Sequence, residues 1–328
     1  MGTPLYLAII NPKAGPPKDL RRIQALLENR CALAGVNLVV EKTHYRGHAT
    51  ALVQRYGQSV ARVIGVGGDG TLREIVAGLV PGIPLALVPL GTVNVLAKDL
   101  GIPEDPPHSI DLALNGVVRY IDVAYLRDEP FLLMASAGID ALTVHNLHGP
   151  AKRLFGQFAY VLSSLRTAAI RKPERYKVGI YLNGQSTVLW EKGYLVLVSN
   201  ARYYAGRHTI IPGAGLETGK LHVMVYRKPG AIDTLQLIFN ILAHQQLHLK
   251  DVGFYEADEV TIEGRKKPPR MQYDGDKAPR GPVRITLRPG QLPVLVPENQ
   301  TREKTSLENI LYWLGLESGL KPSGGSSK

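Results

Sequence analysis

The segment RVIGVGGDGTLREIVAGLV, residues 62–80, carries the residue types and spacing that phosphate chemistry needs. An apolar, partly β-branched run ends in Gly67, Gly68, Asp69, Gly70 and Thr71, then resumes with apolar residues three and four apart. That spacing sets the glycines where a strand passes into a helix. Glycine lets backbone approach an anion closely. The N–H groups of a first helical turn, aided by the helix dipole, hold phosphate oxygens. Asp69 falls at the C-terminal end of a buried-type strand, the edge at which open α/β sheets bind ligands. A carboxylate there suits the Mg²⁺ that accompanies a nucleotide triphosphate. A plainer reading competes: Thr71 and Glu74 fit a capping box that closes the helix start with no ligand. The segment is neither a Walker loop, since no GK[ST] follows, nor a GxGxxG turn.

The elements around it predict a positioning scaffold. LYLAIIN (5–11), VNLVVEK (36–42), ARVIGVG (61–67) and PLALVPL (84–90) read as buried strands. Amphipathic stretches separate them, and such alternation predicts a parallel sheet covered on both faces. After about residue 128 the pattern becomes a strong helix (151–172), then strand-like segments broken by Gly, Pro and Asn, with one more helix around 230–249. The expected fold is α/β: a doubly wound, mostly parallel nucleotide-binding domain over 1–127 and an antiparallel β-rich sandwich over 128–297. A helix within 298–317 is expected to pack back on the first domain, and 318–328 to be disordered.

With 45% hydrophobic and 20% charged residues, the 328-residue chain has a globular composition. Its net charge of +11 favours an anionic partner: a phosphorylated substrate, an anionic membrane surface or nucleic acid. No nucleic-acid-binding motif supports the last. The single cysteine, Cys31, excludes an intramolecular disulfide and reads as a buried structural thiol. No apolar run reaches the length of a membrane span, so the expectation is a cytoplasmic protein, peripheral at the membrane.

Four motifs in order carry a resemblance: NPKAG (11–15), THYRGHA (43–49), GGDGT (67–71) and PLGTVNVLAKDLGIP (89–103). VSNARYYAG, IIPGAGLETGKLHV and MQYDGD follow in the same sense. The series resembles the diacylglycerol kinase catalytic-domain family, in particular bacterial lipid kinases related to sphingosine and ceramide kinases, over roughly residues 5–297. The resemblance implies an ATP-dependent lipid kinase, with diacylglycerol the favoured acceptor. Asn11, Gly15, Thr43, Gly67 through Thr71, Leu72, Arg73, Thr92 and Asn94 would line the nucleotide site. Asp69 and Asp122 would hold the Mg²⁺. Asp274 and Asp276 stand where the family has Asp-Gly-Glu, and one of them would be the general base. The implied partners are ATP, a lipid alcohol, a membrane surface met transiently and, as an option, a second copy of the chain.

Three positions depart from the family pattern. Asp276 replaces the glutamate and is one methylene shorter. Val95 stands where many members carry aspartate, and Thr218 where an aspartate holds a structural Mg²⁺, so that metal is not expected here. Two alternatives stay open: an NAD kinase-like enzyme, which shares GGDGT, and a non-catalytic lipid-binding or regulatory protein with the kinase fold.

Overall fold

The computed structural model describes residues 2–16, 19–139, 141–142, 173–182, 184, 186–204, 208–242 and 249–298. The helix expected over 151–172 and the segments 298–317 and 318–328 lie outside these residues, apart from Glu298 itself.

The first part alternates as the periodicity requires: β1 (Leu5–Ile10), α1 (Leu20–Leu33), β2 (Asn37–Lys42), α2 (His48–Tyr56), β3 (Arg62–Gly67), α3 (Asp69–Gly78) and β4 (Leu85–Pro89). Two helices that the sequence reading did not mark follow, α4 (Val95–Asp99) and α5 (Pro106–Asn115). The parallel order is β2-β1-β3-β4. Strand residues alternate between two buried layers. Leu7 and Ile9 pack with Leu52, Leu72 and Ile75 of α2 and α3, whereas Ala8 and Ile10 pack with Ile23, Leu27 and Cys31 of α1 and Ile110 of α5. Both faces are covered, which is why these strands are apolar throughout.

The remaining strands are β5 (Val117–Leu126), β6 (Glu129–Phe131), β7 (Met134–Ala137), β8 (Tyr176–Leu182), β9 (Thr187–Gly193), β10 (Leu195–Ser199), β11 (Tyr203–Tyr204) and β12 (His208–Thr209). After them come β13 (Leu221–Tyr226), α6 (Ala231–Leu242), β14 (Val252–Ala257), β15 (Glu259–Gly264), β16 (Met271–Tyr273), β17 (Asp276–Lys277) and β18 (Val283–Val296). A six-stranded antiparallel sheet, β14-β13-β10-β7-β16-β17, packs on the β15-β8 part of the large sheet. Val196, Val198, Val223 and Val225 on one side and Val178, Ile180, Val260 and Ile285 on the other fill the sandwich core.

The two halves share a sheet. β18 pairs with β15 over its first residues and reaches β4 at Val294, while β5 runs antiparallel along most of it. The register shifts between Arg288 and Leu292, where Gly290 takes a positive φ of 56°. Leu292 and Val294 therefore lie in the core of the first half. The residues up to Glu298 form one compact unit.

Candidate active site

Three loops at the C-terminal ends of β1, β3 and β4 meet. The Asn11 backbone N–H donates to the Val66 carbonyl (2.9 Å) and its Nδ2 to Thr71 Oγ1 (2.8 Å). Gly15 has φ 67°, and a Cβ there would lie 2.0 Å from the Leu90 carbonyl oxygen. A Cβ on Gly91 would lie 2.7 Å from the Gly68 Cα. The loops touch backbone to backbone, which only glycine allows at these contacts. They open onto a cleft of ≈ 280 Å³ whose lining includes Asn11, Gly15, Gly68, Gly70, Thr71 and, across from them, Asp276. Ala14, Glu74, Arg46 and Gly91 complete the wall. Thr43 is buried at the end of β2, its N–H on the Ile10 carbonyl (2.9 Å), and Thr92 is exposed.

The capping box at Thr71 and Glu74, the competing reading, does not form. Helix α3 begins two residues earlier, at Asp69 behind the extended Gly68, and Thr71 Oγ1 instead receives Asn11. Gly67 leaves room for the Thr71 side chain, since a Cβ there would sit 2.6 Å from its hydroxyl. Leu72 turns into the core beside Ile75 and is not among the residues that line the cleft.

Asp69 faces the β4–α4 loop. Its two oxygens accept the N–H groups of Val95 and Leu96, each at 3.0 Å. Burial pushes its carboxyl above the usual carboxylate range, against those N–H groups and Lys98. Asn94, with φ 51°, shapes the same turn and donates to the Gly91 carbonyl. Val95 packs in the core and contributes its N–H to Asp69.

Asp122, expected at the metal, accepts two backbone donors from distant loops. It is 3% exposed, and its two oxygens accept Gly219 N (2.7 Å) and Gly290 N (2.8 Å). It thereby fastens the 215–220 loop and the β18 irregularity to β5. Thr218 Oγ1 links the carbonyls of Gly215 and Lys220 (3.3 and 3.1 Å) and meets His222 Nε2 (3.0 Å). Asp69 and Asp122 each serve two backbone donors, and no three His, Cys, Asp or Glu side chains among the described residues form a group that could hold a metal ion. Each of the two carboxylates thus already holds a backbone donor on both of its oxygens.

Asp274 and Asp276 separate clearly. Asp274 (φ 47°) and Gly275 (φ 78°) make the tight turn from β16 to β17, the left-handed pair that a two-residue Asp-Gly hairpin requires. The Asp274 carboxylate accepts the N–H groups of Leu132 (2.8 Å), Leu133 (2.9 Å) and Met134 (3.0 Å). Burial raises its carboxyl to about 6 despite these donors. Asp276 faces the cleft, and its Oδ2 takes Arg73 Nη2 at 2.6 Å and Arg46 Nη2 at 3.2 Å. Arg46, Gly91 and Glu74 reach the cleft without having been expected there, yet all three lie inside the motif segments THYRGHA, PLGT and TLRE.

Beyond the end of β7 lies a second, small cavity, lined by Ile139, Leu142, Tyr176, Leu195 and Tyr226 among others. β7 joins the two sites: Met134 holds Asp274, and Gly138 lines the cavity, about 13 Å further along an extended chain.

Residues 5–126 match the model of the diacylglycerol kinase catalytic domain, and 134–296 that of the YegS C-terminal NAD kinase beta sandwich-like domain. A Pseudomonas fluorescens protein named "Probable lipid kinase YegS-like" is 30% identical over 292 residues, 84% of this chain and 91% of that protein. The "Diacylglycerol kinase" of Bacillus subtilis is 25% identical over 276 residues, 82% and 88% of the two chains. A crystal structure of a diacylglycerol kinase from Bacillus anthracis superposes with a TM-score of 0.73 at 26% identity, covering 90% of this chain and 98% of that one. With its glycine-lined cleft and its sandwich both inside the matched segments, this chain belongs to the YegS-like and diacylglycerol kinase-like lipid kinase family.

Proposed function

We propose that the protein is an ATP-dependent lipid kinase that transfers the γ-phosphoryl group to a lipid hydroxyl, with diacylglycerol the favoured acceptor and phosphatidate its product. The observation that carries this reading is the cleft itself, where glycine-rich backbone on three strand ends faces an aspartate from the Asp-Gly-Asp hairpin. Phosphoryl transfer needs charge neutralisation and in-line positioning more than covalent help. At the start of α3 the Thr71 N–H already donates to the Gly68 carbonyl (2.9 Å), while the N–H groups ahead of it, at Asp69 and Gly70, have no carbonyl a turn behind them and suit phosphate oxygens. Asn11 and Thr71 orient one another beside them.

Of the two hairpin acids, Asp276 is the one that lines the cleft. It accepts the proton of the lipid hydroxyl as the new oxygen–phosphorus bond forms, the bridge to the β-phosphate breaks and ADP leaves. Asp274, committed to three backbone donors, shapes the turn. ATP enters as its Mg²⁺ complex, and Glu74 and Asp276 are the acids that face it. The division of labour assigns nucleotide to residues 1–127 and lipid to 128–297.

The lipid is met at a membrane surface. No helix among the described residues is long and apolar enough to cross a membrane. On α6, Ile232 (83% exposed), Leu235 and Phe239 project from one side at i, i+3 and i+7, while Leu237 is buried. An apolar stripe on a chain of net charge +11 suits shallow insertion at an anionic interface. Mixed micelles of diacylglycerol, monoacylglycerol, ceramide or sphingosine, each supplied with ATP and Mg²⁺, test the acceptor. Phosphatidate as the main product supports the reading; phosphorylation of a sphingoid base alone moves the acceptor, and transfer to NAD but to no lipid overturns it.

A further inference from the structure

Arg73 is a buried cation on the second turn of α3, yet it does not line the cleft. Its side chain is 6% exposed, its Nη2 lies 2.6 Å from Asp276 Oδ2, and its guanidinium stacks over the Tyr273 ring at 4.7 Å. Its Nε is buried without a hydrogen-bond partner. A guanidinium this deeply buried is costly without its carboxylate, so the pair fixes Asp276 as firmly as Asp276 fixes the arginine. The contact joins the helix that begins in GGDGT to a hairpin 203 residues away. Arg46 approaches the same oxygen at 3.2 Å from the mouth of the cleft, but it is 66% exposed and free to exchange partners.

We propose that Arg73 is a positioning residue for the transfer reaction, holding the cleft-facing carboxylate of Asp276 in register with the glycine-rich loop. The inference rests on the lipid kinase reading. Its physical ground is reach. Asp276 is one methylene shorter than the glutamate the family pattern has at this place, and a shorter acid must be held by its neighbours where a longer one could extend. Tyr273 and the buried guanidinium supply that hold from one side, and the Asp274–Gly275 turn supplies it from the other. Arg73 acts through Asp276 and touches neither nucleotide nor lipid.

The test uses full-length wild type, R73M, R73K, D276N and the double variant R73M/D276N. Methionine replaces the buried cation with an apolar chain of similar length. Lysine keeps the charge but loses the planar stack on Tyr273. Lipid phosphorylation gives kcat, and displacement of a fluorescent ATP analogue gives nucleotide affinity. R73M should lower kcat by about tenfold or more, as a carboxylate displaced by about 1 Å would, while ATP affinity stays within about threefold. On the D276N background, R73M should cost nothing further, because the residue it positions is already disabled. Wild-type kcat in R73M, a parallel loss of ATP affinity, or fully additive losses in the double variant each overturns the proposal. If R73M does not fold, R73K decides: lowered kcat with unchanged ATP affinity upholds the role, and wild-type kcat overturns it. A wild type that phosphorylates no lipid fails at an earlier point and overturns the activity together with the role.

Discussion

The substitution Gly70→Ala separates two uses of glycine that look alike in sequence. Gly70 is the second residue of α3, and a Cβ built on it meets no heavy atom within 4 Å. Alanine there fits the protein and removes glycine's entropic cost in a helix, so stability should rise by up to about 1 kcal/mol, or roughly 1–4 °C in Tm. Yet Gly70 lines the cleft, at the place where the first-turn N–H groups would meet a triphosphate. A methyl at that spot removes at least one charge-assisted hydrogen bond to phosphate, about 1.5–3 kcal/mol. ATP affinity should then fall roughly 10- to 150-fold. Gly91→Ala is the contrast: its Cβ would sit 2.7 Å from Gly68 Cα and 2.5 Å from Asn94 Oδ1, so both stability and affinity should drop. Thermal melts and calorimetric titration with ATP read both quantities. A Gly70→Ala protein that binds ATP as well as wild type would refute the idea that this glycine admits phosphate.

Two further outcomes follow from the acids. The Asp274 carboxyl is raised from 3.8 to about 6, so the folded protein holds a proton that the unfolded chain has released between those values. Stability should therefore fall by on the order of 2–3 kcal/mol as pH climbs from about 4 to about 6, and Asp274→Asn should lack that slope. Denaturant midpoints across this range check it, and a wild-type slope of opposite sign would mean that the three N–H donors outweigh burial. Asp122→Ala removes the acceptor of two part-buried donors, Gly219 N and Gly290 N, and should cost about 1–3 kcal/mol in all. The loss should be equal in EDTA and in Mg²⁺; a loss seen only with Mg²⁺ would return Asp122 to the role of metal ligand.

The parallel half was legible because its signals are local. Runs such as LAII and VIGVG are apolar in every position, and the helices between them show their own spacing. The strand-to-helix site at GGDGT was legible for the same reason. What escaped depends on partners distant in the chain. VRITLRPGQLPVLVP reads as a strand of the second half, yet past Pro289 and Gly290 its residues pack in the core of the first. The bonds from the Gly219 and Gly290 N–H groups to Asp122 join residues far apart in the chain and leave no mark in the sequence. Asp274 and Asp276 are equivalent on paper, and only the fold sends one to the 132–134 backbone and the other to Arg73 and the cleft. The capping box did not form because α3 starts ahead of Thr71, whose hydroxyl then accepts from Asn11, sixty residues away.

The central claim is that this cleft moves a phosphoryl group from ATP to a lipid. The direct measurement is label transfer from γ-³²P-ATP and, in parallel, α-³²P-ATP into the organic phase of diacylglycerol micelles, with wild type and Asp276→Ala. The account predicts γ-label in phosphatidate, no α-label, and loss of transfer in the variant. No γ-label in any lipid fraction, or transfer undiminished in Asp276→Ala, would contradict it.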